Sequence, residues 1–319
     1  MANTIATNTG MPSAPTGASP IRKETHMPYE KLQFKVRSTP ATQAMPDGSP
    51  AAPGRTASHS QFRKARALLG SEWALLRRNR MLMATAIMSP LLIPLWANSL
   101  AESSNMPPLT AATMLLSLLI STTLLTATYF NVLSTYVSRR QDMVLKRLRT
   151  GECSDATILI SAASPAVLLS LAALGVGLAL SSFLFELPLP KYPELAIVGI
   201  ALGTAVIAGI GALTAIVTRT TESAGVTYLP FFVVGFLATN GLLPLSSMPA
   251  WAEQALLLVP TNAVTVIAQY GWLGIDNNEA SLSRLGALLE SLPAFASLAV
   301  WCVVIAVIVR AAFRWDPRA

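Results

Sequence analysis

Five cations fall within eleven residues in the run Arg139-Arg140-Gln141-Asp142-Met143-Val144-Leu145-Lys146-Arg147-Leu148-Arg149, and long apolar stretches flank it on both sides. So dense a positive cluster stays out of hydrocarbon and holds both neighbouring helix ends at one face of a membrane. The run from Ser138 to Gly151 reads as a short helix. Asp142 and Lys146 form a favourable i,i+4 pair, Val144, Leu145 and Leu148 share an apolar side, and Gly151 supplies a left-handed stop. A stiff basic helix beneath two spans suits anchoring, and equally suits taking a push from a cytoplasmic partner. Pattern alone leaves both open.

A second set of candidates sits inside the apolar stretches. Ser121, Thr128 and Asn131 belong to a segment that also carries Ser117, Thr122, Thr123, Thr126 and Ser134. Such side chains bond their own backbone and face other helices cheaply; they also suit the lining of a substrate path, and Phe231, Phe232 and Phe236 would add aromatic faces to it.

Bond-making chemistry lacks its parts. There are no paired carboxylates at membrane depth, no HExxH, and no Gly-x-Ser-x-Gly with a membrane-depth His. No lysine follows a glycine, so no phosphate cradle forms. His26 and His59 stand apart, and Cys153 and Cys302 belong at different depths, so neither a metal centre nor a disulfide is expected. The chain is expected not to be an enzyme. Tyrosine and Cys302 aside, the apolar stretches hold no ionisable side chain, whereas ion-driven carriers keep one at membrane depth. Uphill transport would draw its energy from another polypeptide.

The elements that must position these residues follow from composition. The chain has 319 residues, 52% hydrophobic and 12% charged, about half the charge of a soluble domain. Charge-free stretches predict an all-α polytopic membrane protein with six spans at about 81–100, 111–137, 158–185, 195–218, 224–243 and 292–309. A seventh apolar stretch, Gln254–Ile275, is broken by Pro260-Thr261-Asn262 and is read as an outer interfacial helix followed by a re-entrant or surface segment. Six spans with both termini cytoplasmic place 21 of the 23 Lys and Arg inside, leaving Lys191 and Arg284 outside. The net charge of +7 then reflects orientation and anionic lipid, with no role for nucleic acid.

Two further regions complete the plan. Residues 1–60, with eight prolines and no apolar period, are expected to be a disordered cytoplasmic tail without a signal-peptide core. Gln61 to Arg80 shows Phe62, Leu69, Trp73 and Leu76 near helical spacing among six cations, as a basic amphipathic helix in the cytoplasmic interface would. Residues 61–319 form the membrane domain. Within it, Pro90, Pro94, Pro165 and Pro230 should kink their spans, and Gly199, Gly203, Gly209 and Gly211 give the fourth span a small-residue face for packing.

Two blocks resemble the membrane subunit of type-2 ABC transporters, the permease class of bacterial drug and antibiotic exporters. The first is the basic run closing on Leu145-Lys146-Arg147-Leu148-Arg149, with Arg139 where that class often has glutamate and Met143 where glycine is frequent. The second is Pro244 through Trp251, then Pro260 and Gly271-Trp272-Leu273-Gly274. The resemblance implies that Arg139, Arg140, Asp142, Leu145, Lys146, Arg147, Leu148 and Arg149 form a coupling helix seated on a separate ABC ATP-binding subunit. That partner would bind ATP and Mg2+, and this chain no cofactor. It further implies a dimer with a second copy or a related permease, a path along the second and fifth spans, and a bacterial plasma membrane location. The expected function is export of an amphiphilic drug, antibiotic or lipid-like compound. An ion-coupled secondary transporter, or a non-transporting scaffold or immunity protein, remain the alternative classes.

Overall fold

The computed structural model describes residues 80–144, 154–239, 249–276 and 279–313. The expected tail, the amphipathic helix before Arg80, and Leu145, Lys146, Arg147, Leu148 and Arg149 lie outside the described residues. Every named element is helical: α1 (Arg80–Ser103), α2 (Pro108–Gln141), α3 (Asp155–Leu184), α4 (Pro193–Val217), α5 (Thr221–Leu237), α6 (Ala250–Leu257), α7 (Pro260–Trp272) and α8 (Arg284–Ala312). Among the described residues, β pairing is confined to one antiparallel bridge between Ile275 and Ser281.

Local chemistry sets where the helices begin. Pro108, Pro193 and Pro260 open α2, α4 and α7, where a missing amide hydrogen does no harm. The side chains of Ser154, Thr220 and Ser283 accept amide hydrogens at the starts of α3, α5 and α8. Among the described residues, four helices are long and apolar enough to cross a membrane: α2, α3, α4 and α8, of 34, 30, 25 and 29 residues. The apolar α5 has 17 residues. Three boundaries differ most from expectation. α5 ends at Leu237, capped by Ala238, rather than near 243. α8 begins at Arg284 rather than near 292, because Ser283 caps it and the helix carries Arg284 and Glu290 in its first turns. α2 runs on through Gln141, so Ser138–Gln141 belong to its last turn rather than to a separate basic helix.

α2 is the hub. In its most apolar stretch 67% of the residues are buried, against 17% in α8, which lies at the periphery. Leu116, Leu118, Leu119, Ile120, Leu124 and Leu125 of α2 meet Ile207 of α4 and Ile267 of α7 in one apolar core. A second cluster joins Val132, Leu133 and Val137 to Ala162 and Ala166 of α3 and Ala208, Ala212 and Ala215 of α4.

The broken apolar segment resolves into two helices. α6 ends at Leu257, and Pro260 starts α7 instead of interrupting it. At 1.5 Å per residue, 13 residues reach about 20 Å, short of the roughly 30 Å hydrocarbon layer. Residues 260–271 are all buried, which fits a re-entrant helix and excludes a surface segment. α7 lies antiparallel in a groove of α4 made by glycine: a Cβ on Gly199 would overlap Ile267, and one on Gly203 would overlap Val264. Gly271 plays the same part from the side of α7, since a Cβ there would stand 2.6 Å from the Ala196 amide nitrogen. The expected small-residue face of α4 therefore serves three partners, since Gly209 admits Ile305 of α8 and Gly211 admits the backbone of α2 at Tyr129.

Candidate functional site

Within α2 the winding changes over Leu124–Phe130, which is π-helical between two α-helical halves. Such wider turns re-aim side chains and concentrate at functional positions. Here Tyr129 becomes a junction. Its hydroxyl lies 3.0 Å from Thr214 Oγ1 on α4, and its ring stacks on Tyr228 at 5.4 Å and meets Phe231 edge-on at 4.9 Å. Phe130 meets Tyr228 at 5.2 Å, Tyr228 meets Phe232 at 5.0 Å, and Phe232 stacks on Phe236 at 5.7 Å. The result is a continuous aromatic row along α5, seated on the π-helical part of α2. Its spacing of Tyr228, Phe231, Phe232 and Phe236 is a helical stripe that the sequence displays. Tyr129 carried no comparable signal, because only the extra residue of the π turn points it at α5.

The expected path residues do not share one surface. Phe231, Phe232 and Phe236 gather on the row and remain half-buried. Ser121 is buried and donates to Ser117 O of its own helix at 2.7 Å. Thr128 donates to Ser170 of α3 at 2.8 Å, and Asn131 is fully buried. Within one chain these three are buried between helices.

A further set of buried polar atoms was missed by sequence reasoning. α7 packs against α2, and both helices bring buried polar atoms with no hydrogen-bond partner among the described residues: Ser117 Oγ, Thr122 Oγ1 and Thr123 Oγ1 from α2, and both amide atoms of Asn262 from α7. Asn262, Thr265 and Gln269 follow i, i+3, i+7 spacing on the side of α7 turned away from Val264, Ile267 and Gly271. Thr261 fixes the start of α7 by donating to Gly235 O of α5 at 2.8 Å. Gln269 ties down the far end, its Nε2 donating to Asp276 O at 3.0 Å. Asn262 had counted only as a span breaker.

At the opposite end of α2 the basic run begins. Arg140 is buried, with Nη1 donating to Ala215 O at 2.7 Å and Nη2 donating to Thr218 O. Both acceptors are at the C-terminus of α4, where orphan carbonyls and the helix dipole favour a cation. Arg139 is half-buried and Asp142 exposed. Met143 turns the chain with φ of 59°, in the left-handed region that favours glycine; it is the position where the resembled block has glycine. Of the eight expected coupling residues, Arg139, Arg140 and Asp142 are described, and Arg140 is committed to α4 of its own chain.

No curated protein matches the chain. A family model described as the ABC-2 type transporter matches residues 63–272, well over half of the sequence and including α1 through α7. The chain is a member of the ABC-2 type transporter family.

Proposed function

We propose that this ABC transporter permease exports an amphiphilic compound from the cytoplasm, powered by a separate ATP-binding subunit that holds ATP and Mg2+. α1 and α5 join the four long helices as spans, giving six with both termini cytoplasmic in a bacterial plasma membrane. A second copy, or a related permease, completes the dimer. The aromatic row on α5 carries this reading. One side of α5 presents half-buried rings toward the π-helical part of α2, while Val226, Leu229, Val233 and Leu237 are about half-exposed or more and uncovered in the single chain. An aromatic, charge-free lining suits a lipid-like or aromatic solute better than an ion.

The drive enters through the basic segment that follows α2. Closure of two ATPases pushes on that segment, and the bonds from Arg140 to the end of α4 make α2 and α4 move as one body. The test is ATP-dependent accumulation of a fluorescent amphiphile in inverted vesicles holding the permease and its ATPase. Accumulation should require both proteins, and Phe231→Ala with Phe236→Ala should lower it several-fold. Accumulation driven by an ion gradient without nucleotide would favour a secondary transporter; tight ATPase binding with no accumulation of any amphiphile would favour a scaffold.

A further inference from the structure

The end of the bundle opposite Arg140 is predominantly acidic, carrying Glu102, Glu186, Glu194, Asp276 and Glu279. Among the described residues two cations belong to it, Lys191 just before α4 and Arg284 at the start of α8. They are separated by more than ninety positions in sequence, yet both lie where the start of α4 meets the turn into α8. Lys191 Nζ donates to Leu282 O at 3.3 Å and stands 5.5 Å from the centre of the Tyr192 ring. The Tyr192 hydroxyl donates to the same Leu282 oxygen at 2.8 Å. Two residues further, Arg284 reaches Glu194 Oε1 through Nε at 3.1 Å.

A groove of 520 Å3 opens here between α4 and α8, with Tyr192, Glu194 and Arg284 at its rim, Lys191 beside it, and Leu195, Val198, Leu285, Leu288 and Phe295 as its walls. The groove faces outward: Val198 and Leu285 are 54% and 64% exposed. Its volume lies in the roughly 300–1,000 Å3 range of small-molecule sites, but its open, apolar flank fits something already dissolved in the membrane. Charge selects the other half of the ligand. Arg284 uses only Nε on Glu194, so its two terminal nitrogens present the planar fork that binds phosphate bidentately. Lys191 adds a second charge with donors to spare. The N-termini of α4 and α8 point their positive dipole ends at the same rim. Trp272, whose Nε1 donates to Pro188 O at 2.6 Å, and Tyr192 are placed where aromatic side chains mark the headgroup level.

We propose that this groove holds one phospholipid, its phosphodiester on Arg284 and Lys191 and an acyl chain against Val198, Leu285 and Leu288. The site is separate from the aromatic row and does not depend on what the permease carries. Native mass spectrometry of the full chain, purified in detergent and mixed with phosphatidylglycerol, tests it. One phospholipid per chain should be retained, and dioleoylglycerol, which lacks the phosphate, should be retained at least about fivefold less. The Lys191→Gln/Arg284→Gln variant and the groove-filling Val198→Trp variant should each lose the lipid. Millimolar inorganic phosphate should not displace it. Equal retention of dioleoylglycerol, displacement by inorganic phosphate, or undiminished binding in either folded variant would overturn the proposal. Should both variants fail to fold, the two competitor measurements on the natural chain still decide it.

Discussion

Arg140 donates through Nη1 to the carbonyl oxygen of Ala215, 75 residues away in sequence, and so fastens the end of α2 to the end of α4. The bond is buried, and the basic segment leaves α2 within a few residues of it. A force applied to that segment meets a joint rather than a loose helix end.

Removing the joint should be strongly destabilising. Arg140→Ala leaves the Ala215 and Thr218 carbonyls without their donor and should destabilise the chain by about 2–4 kcal/mol. Arg140→Lys keeps the charge but not the fork, so it should restore only part of the loss. Thermal loss of the monodisperse peak in size-exclusion chromatography measures both. Equal stability of Arg140→Ala and the natural chain would remove the joint from the scheme.

Met143 should gain from its own replacement. A left-handed residue with a Cβ is strained by roughly 1–2 kcal/mol, and glycine adopts φ of 59° freely. Glycine also adds entropy to the unfolded chain. The net expectation for Met143→Gly is a stabilisation of about 0.5–1 kcal/mol, read in the same melting experiment. A marked loss would mean that the turn is not left-handed in the membrane.

The groove in α4 gives a paired test. Gly203→Ala should cost about 1–3 kcal/mol through overlap with Val264. Val264→Ala in the same chain should recover much of it, since the two atoms occupy one space. Gly175→Ala, with nothing within 4 Å of the new carbon, should cost nothing and stabilise by up to about 1 kcal/mol, and it serves as control. Additive losses at 203 and 264 would separate α7 from α4.

Asn262 separates fold from function. Its amide is buried without a partner among the described residues, so Asn262→Leu should leave stability unchanged or raise it by about 1 kcal/mol. ATP-dependent accumulation in vesicles should nonetheless fall several-fold, because an unpartnered polar group on the helix packed against α2 serves the solute or the movement. Full transport by this variant would reduce these buried polar atoms to packing.

Docking onto the ATPase is tested at residues read from sequence alone. Replacing Leu145 and Leu148 together by alanine should abolish ATP-dependent accumulation while membrane insertion is retained. Undiminished accumulation would defeat the docking reading.

Four spans were legible because burial in lipid demands long charge-free runs; α3 and α4 follow those runs closely, while α2 and α8 extend beyond theirs into charged residues. The break at Pro260 was legible as well, since proline and two polar residues cannot sit mid-span facing lipid. What could not be read was which helix covers which. Gly199 and Gly203 announced a close neighbour without naming α7. The π turn at Leu124–Phe130 has no composition signature, so neither Tyr129 nor its contact with Phe231 was foreseen. Arg140 looked like one member of a solvated basic run; its burial depends on where α4 happens to end. The aromatic members Phe231, Phe232 and Phe236 were visible as residue types, and only the folded packing of α5 on α2 aligns them with Tyr129.

A thirteen-residue helix wedged between α2 and α4 makes the two ends of their packing unlike. At the Arg140 end α2 and α4 pack directly on one another through small alanines, while at the other end α7 is interposed as a stopper on a smooth glycine track. The two ends of α2 are therefore held differently, by direct contact with α4 at one and through a short intermediary at the other.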